Sequence, residues 1–297
     1  MLYSYFLTSK ERTLEDAKKE LSKSLDKAYE LYHALFVLMI DLTNMQDLHL
    51  DEAKHKYIPS EEDLNPNMRF VENGFVEALK NNQALEDYKK ETPISWQDDY
   101  IFMKLMLEKL LNSDIYQEYM SADTTDFKND CDFWKNILKK VILPDEDFAE
   151  LLESKSVYWN DDLDIMSTFT IKTINKWAIG GKQDLFNMYK DKEDAAFGEE
   201  LFMLVVKNRQ QYDEIIDMFI QTESWDKDRI PIMDRIILMT AIAEIINFPK
   251  IPTRVTMNEY IEIAKYYSTA KSGIFVNGIL NTIINYLKKE GTISKTK

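Results

Sequence analysis

The stretch from Ile230 to Leu287 constrains the chain most, because it declares three helices together with their ends. Pro231 suits a first helical turn, where the missing N–H has no partner to lose. Ile232, Ile236, Met239, Ala243 and Ile246 then recur at three- and four-residue steps, the spacing of one apolar helix face. Asn247-Phe248-Pro249 ends the run, and Pro252 keeps the connection extended. Thr256-Met257-Asn258-Glu259 reads as a capping box opening the second helix. There Ile261, Ala264 and Tyr260 face inward, and Glu262 and Lys265 support the outer face. A third helix is predicted from about Gly273 to Lys288, with Val276, Ile279, Leu280, Ile283 and Leu287 as its buried stripe. Gly278 lies inside it at a cost of about 1 kcal/mol against Ala, which predicts a neighbour too close for a side chain.

The rest of the chain extends this helical reading. Only 7 Gly and 7 Pro occur in 297 residues, too few for the turns of a sandwich or barrel or for a glycine-rich nucleotide loop. Neither strand-like alternation nor a two-residue hairpin signal is present, so the fold class is all-α. No apolar run reaches the roughly 20 residues of a membrane span, and ALFVLMIDL at 34–42 stops at Asp41. Met1 leads straight into an amphipathic segment without a basic signal region, and Cys131 is the single cysteine; together they point to a reducing cytoplasm. The net charge of −15 is uneven. Residues 225–297 carry 11 Lys/Arg against 7 Asp/Glu, or +4, and residues 1–224 carry 26 against 45, or −19. The C-terminal part is thus the only one electrostatically suited to a polyanion.

In chain order, helices are expected over Met1–Thr8, Glu11–Leu42, Asn67–Leu85, Pro93–Asn112, Asp123–Leu143, Asp145–Glu153, Asp162–Trp177 and Asp194–Ile220, with a polar loop over Gln46–Pro66. Part of the middle can be laid on part of the end: Asp145-Glu146, Glu153-Ser154, Trp159-Asn160-Asp161-Asp162 and Ile165-Met166 on Asp213-Glu214, Glu223-Ser224, Trp225-Asp226-Lys227-Asp228 and Ile232-Met233. Two readings stand: a degenerate duplication, or acid-capped amphipathic helices that merely look alike.

Candidate chemistry is sparse. Glu30/His33 and Glu52/His55 have the spacing used in di-metal bundles, but matched carboxylates are missing, and surface residues are the ordinary reading. Gly180-Gly181-Lys182 lacks the leading glycine and the Ser/Thr of a phosphate loop and reads as a helix C-terminus. Cys131 has no histidine partner. Asp161, Asp162 and Asp164 fit N-capping better than calcium. The expectation is no catalytic residue, no metal and no cofactor. Phe275 reads as core or as a stacking platform, and Asn277, Asn281 and Asn285 form a polar stripe.

The segment from Met233 to Leu280 resembles the C-terminal half of the transcription antitermination factor NusB family. The matching landmarks are Asp234-Arg235, Glu244, Pro252, Val255, Asn258-Glu259, Glu262, Ala264-Lys265 and Phe275-Val276-Asn277-Gly278. LYSYFLTS at 2–9 resembles the end of the family's first helix, and 197–220 fits its third more loosely. The resemblance implies a NusB-like helical bundle, with residues 1–44 starting the core, 45–190 a helical insertion and 191–297 the C-terminal core. It implies a non-enzymatic RNA-binding adaptor that pairs with the small-subunit ribosomal protein NusE on single-stranded boxA RNA and joins the transcription elongation complex. By resemblance Tyr3, Arg235, Lys271, Phe275 and Asn277 contact RNA, and Asp234, Glu259 and Lys271 contact the partner. Two departures are visible: Ile274 stands where the family commonly has a basic residue, and Lys271 where some members carry an acid. In the family an arginine-rich segment precedes the LYS stretch, whereas here the first basic residues are Lys10 and Arg12; weak RNA binding by this chain alone is the expectation. Two alternatives remain. The helical N-terminal domain of RNA cytosine methyltransferases would need a following Rossmann-like domain, for which only nine residues after Lys288 are left. An acidic helical interaction scaffold with weak or lost RNA binding is the other.

Overall fold

The computed structural model describes residues 1–8, 13–123, 126–159, 161–220 and 230–293. Lys10, Arg12, Asn160 and the segment from Glu223 to Asp228, which entered the sequence expectations, lie outside them. Among the described residues every regular element is helical. The α-helices are α1 (Leu2–Thr8), α2 (Leu14–Lys54), α3 (Glu61–Leu64), α4 (Gly74–Lys80), α5 (Gln83–Glu91), α6 (Tyr100–Leu111), α7 (Asp114–Ser121) and α8 (Phe127–Ile137). They continue with α9 (Glu146–Lys155), α10 (Leu163–Ala178), α11 (Lys192–Lys207), α12 (Arg209–Ile220), α13 (Ile232–Asn247), α14 (Thr253–Tyr267) and α15 (Ser272–Lys289).

Short polar side chains set most of the starts. Asn73, Asn82, Ser113, Asp126, Asp145 and Asp191 each accept a hydrogen bond from a backbone N–H in the first turn of the helix they precede, satisfying donors that have no partner inside the helix. These caps correct several expected boundaries. The span Asn67–Leu85 is not one helix, because Asn73 and Asn82 start α4 and α5 separately. Asp194–Ile220 breaks at Asn208, the C-cap of α11. Ser113 starts a helix, α7, in a stretch that carried no helical expectation. The expected loop at Gln46–Pro66 is helical as far as Lys54, since α2 runs on for 41 residues. Asp123–Leu143 is α-helical only to Ile137; a π-turn at Leu138–Ile142 follows, just before Pro144. Thr256 caps nothing: α14 already begins at Thr253 behind Pro252, and the Thr256 hydroxyl is buried without a hydrogen-bond partner.

The chain divides into two compact units, residues 23–188 and residues 1–22 with 189–297. In the first, α2 is central. Every residue from Leu31 to Thr43 is buried, so this stretch is covered on all sides and not along one stripe. Polar groups tie its neighbours to it. The Trp96 indole N–H donates to the Ala34 carbonyl, the Trp96 backbone N–H donates to the Asp41 carboxylate, and the Trp159 indole N–H donates to the Lys27 carbonyl. The Tyr32 hydroxyl lies 2.7 Å from Thr173 Oγ1 and accepts from the Phe186 N–H.

In the second unit α13 takes the central place, with α1, α11, α12, α14 and α15 packed around it. The expected single face understates its burial. From Ile236 to Ile245 all residues except Thr240 are buried, whereas Ile232 is exposed. Glu244, inside this apolar surround, accepts a hydrogen bond from the Tyr260 hydroxyl at 2.9 Å, and burial beside that carboxylate pushes the Tyr260 pKa up. The pair fixes α14 on α13 at one register.

Candidate RNA and partner interface

The connection from α14 to α15 and the first turns of α15 carry three of the seven candidate residues, Lys271, Phe275 and Asn277. The Ser272 hydroxyl donates to Asp234 Oδ2 at 2.8 Å and accepts from the Thr269 backbone N–H, with the Ser268 and Thr269 hydroxyls beside it. Asp234 is only 2% exposed, and its Oδ1 has no hydrogen-bond partner among the described residues. This aspartate, on the first turn of α13, therefore fixes the start of α15 from below. Lys271 stands exposed just before α15, and Asn277 is exposed one and a half turns on. Phe275 is buried at 8% exposure among the apolar residues packed on α13, while Ile274 beside it is 80% exposed.

Gly278 faces solvent, and a Cβ added there meets nothing within 4 Å. The expected close approach is absent. The tight glycine of this helix is Gly273, where a Cβ would come within 3.0 Å of Lys265 Cγ on α14.

The remaining candidates belong to the same unit. Tyr3 is 38% exposed on α1, which is seated through Leu2 and Phe6 on the apolar cluster and through Tyr5 edge-on against Phe202. Glu259 is exposed on α14. Arg235 is differently placed from its neighbour Asp234. Its Nη1 and Nη2 donate to Asp213 and Asp217 of α12 at 2.8 and 2.7 Å. The structure thus brings Lys271, Phe275, Asn277 and Asp234 to one helix start, and commits Arg235 to two internal carboxylates. Ser272, the link between Asp234 and that start, was missed from sequence. Its signal was local: Thr269 and Ser272 frame a turn that hydroxyls commonly close.

Elsewhere the candidate constellations resolve into structural roles. Gly180 adopts φ +77° after α10, and the Gly181 N–H bonds back to the Lys176 carbonyl, a Schellman helix end, as the sequence predicted. His33 is not a surface residue. It is buried, stacked on Tyr88 at 3.8 Å, and burial lowers its pKa to about 4. Cys131 is buried too, and burial pushes its thiol up to about 12. Among the described residues no group of three or more His, Cys, Asp or Glu is placed to hold a metal ion.

The two units differ in charge as the two ends of the sequence do, though by less. Residues 23–188 hold 18 Lys/Arg and 32 Asp/Glu, a balance of −14, which leaves −1 of the chain's −15 for the unit that carries the candidate residues.

Comparison with known proteins identifies the pattern. A model of the NusB family matches residues 164–285, from the start of α10 into α15. Among curated relatives, the transcription antitermination protein NusB of Salinibacter ruber is 38% identical over 107 residues, 36% of this chain and 66% of that protein. That of Natranaerobius thermophilus is 38% identical over 112 residues, covering 37% of this chain and 79% of the relative. That of Chloroherpeton thalassium is 40% identical over 92 residues, covering 31% and 43%. The chain thus spans just under two thirds of the length of the first of these. No solved structure matches.

Proposed function

We propose, from the premise that this chain belongs to the NusB family, that it is a non-enzymatic transcription antitermination factor: an RNA-binding adaptor in the cytoplasm that pairs with the ribosomal protein NusE on boxA-type single-stranded RNA. The observation that carries the reading is the exposed start of α15, where Lys271 and Asn277 are presented on a nearly neutral unit while the other unit holds −14. Lysine supplies a phosphate contact, and an exposed Asn amide can donate to and accept from an unpaired base edge. Phe275 offers little open ring for stacking, because it is buried. Tyr3 is the more accessible aromatic for stacking. Glu259 and Lys271 are the exposed charges for the NusE contact, and Asp234 acts on it through the placement of Ser272.

A second reading, an acidic helical scaffold with weak or lost RNA binding, is favoured by one observation: Arg235 is already paired with Asp213 and Asp217. One titration separates the two. Fluorescently labelled boxA RNA is titrated with the protein at physiological salt, with and without NusE. The adaptor reading expects weak binding alone and tight binding with NusE, reduced about tenfold by Lys271→Glu or Asn277→Ala, on the order of 1.4 kcal/mol. No RNA binding in the presence of NusE would leave the scaffold.

A further inference from the structure

The acidic unit contains a groove outside the family-matched residues. It lies between α6 and α9, which run antiparallel. Lys109 near the end of α6 reaches Asp145 and Asp147 at the start of α9, at 2.5 and 2.8 Å. Asp99, just before α6, meets Lys155 at the end of α9 at 2.5 Å. Phe102 stacks on Phe148 beneath, with ring centroids 5.9 Å apart. The groove above encloses about 530 Å³.

Each helix offers it one face at i, i+3, i+4 and i+7: Asp98, Ile101, Phe102 and Leu105 from the α6 side, and Asp147, Glu150, Leu151 and Ser154 from α9. Four acids thus line the groove beside its apolar side chains. The apolar strip on which a docked helix would lie, its floor, is open to solvent, with Ile101 77%, Leu105 45% and the adjoining Tyr100 56% exposed. Neighbouring apolar residues left in water beside polar ones are the pattern of an unfilled contact surface. The two lysines neutralise Asp99 and Asp147 at the ends of the groove, while Asp98 and Glu150 are exposed and form no ion pair among the described residues.

We propose that this groove is a docking site for an amphipathic helix with basic flanks, carried by a partner protein. Leu- or Ile-type side chains one turn apart fill the floor over Ile101 and Leu105, and Lys or Arg on either side meet Asp98 and Glu150. Charge complementarity selects this occupant. Phosphates would face the four carboxylates in a unit of net −14, which disfavours nucleic acid. A second copy docked symmetrically would set this acidic surface against the same acidic surface of its partner. The proposal does not depend on RNA binding by the other unit.

The test uses the full-length protein and a labelled synthetic peptide of about four helical turns, with Leu on one face and Lys flanking it. Its controls are a peptide of the same composition with the leucines scattered around the helix, and one with Lys replaced by Glu. Fluorescence anisotropy at 150 mM salt is expected to show micromolar binding of the first peptide. The controls should bind at least about tenfold more weakly. Ile101→Asp should cost about tenfold, and Asp98→Lys with Glu150→Lys should cost as much and flatten the salt dependence. Ile101→Ser repeats the floor test without adding charge, and circular dichroism checks that each variant is folded. Affinity of Ile101→Ser equal to the parent's, with Ile101→Asp equal or tighter, would mean that only charge attracts the peptide and would overturn the proposal. So would no binding at 100 μM, or a parent dimer in sedimentation that Ile101→Ser dissociates, since a second copy would then be the occupant.

Discussion

A glycine in a helix interior costs about 1 kcal/mol against alanine, and at Gly278 nothing in the surroundings requires it. Gly278→Ala should therefore raise stability by about 0.5–1 kcal/mol, read as a higher urea midpoint at unchanged slope. A destabilised variant would mean that a neighbour needs the space. The same helix shows which residues speak plainly in sequence. Val276, Ile279, Leu280, Ile283 and Leu287 were legible as its buried stripe because a 3.6-residue period declares a face directly, and all five are buried. Phe275 was legible only as two alternatives, because its class fits either a core or a stacking surface; its 8% exposure puts the residue in the core. Asp234 and Arg235 were told apart in sequence only by resemblance, as a partner contact and an RNA contact. They are adjacent, and only the tertiary partners, Ser272 for one and Asp213 with Asp217 for the other, turn one into an anchor and the other into an internal cation.

Among the elements, helix starts followed local chemistry wherever a side chain could bond back to the first turn, and misled where proline decided instead. Thr256-x-x-Glu259 has the residues of a capping box, yet Pro252 caps α14 four residues earlier and carries the threonine into the packed interior. A true N-cap threonine would lose about 1 kcal/mol on removal of its hydroxyl. A buried hydroxyl without a partner should lose nothing, so Thr256→Val is expected to be neutral or to stabilise by up to about 1 kcal/mol, measured by thermal and urea unfolding. A loss of 1 kcal/mol or more would restore the cap. The central positions of α2 and α13 were hard to read for a related reason: helices buried on all sides lose the contrast between faces that periodicity needs. The duplication reading stays a proposal at this scale. Both segments present three helices in order, and α8 packs on α10 as α11 packs on α13; α12 also packs closely on α13.

For the whole molecule, the division of charge is the property that most shapes function. A unit at −14 repels phosphates at distances within a Debye length, about 8 Å at physiological salt, and a unit at −1 does not. Sequence counting located the basic excess in the C-terminal residues, but the N-terminal helix joins the same unit only through folding, which no local pattern announces. Among the described residues no helix is long and apolar enough to cross a membrane. Under the proposed function, RNA and NusE bind the unit built on α13, at α1 and the start of α15. Hydrogen–deuterium exchange of the full-length protein, free and saturated with boxA RNA and NusE, tests this most directly. The predicted result is slowed exchange in peptides covering residues 1–8 and 268–280, with residues 23–188 unchanged. Protection confined to residues 23–188, with the start of α15 exchanging as in the free protein, would contradict it.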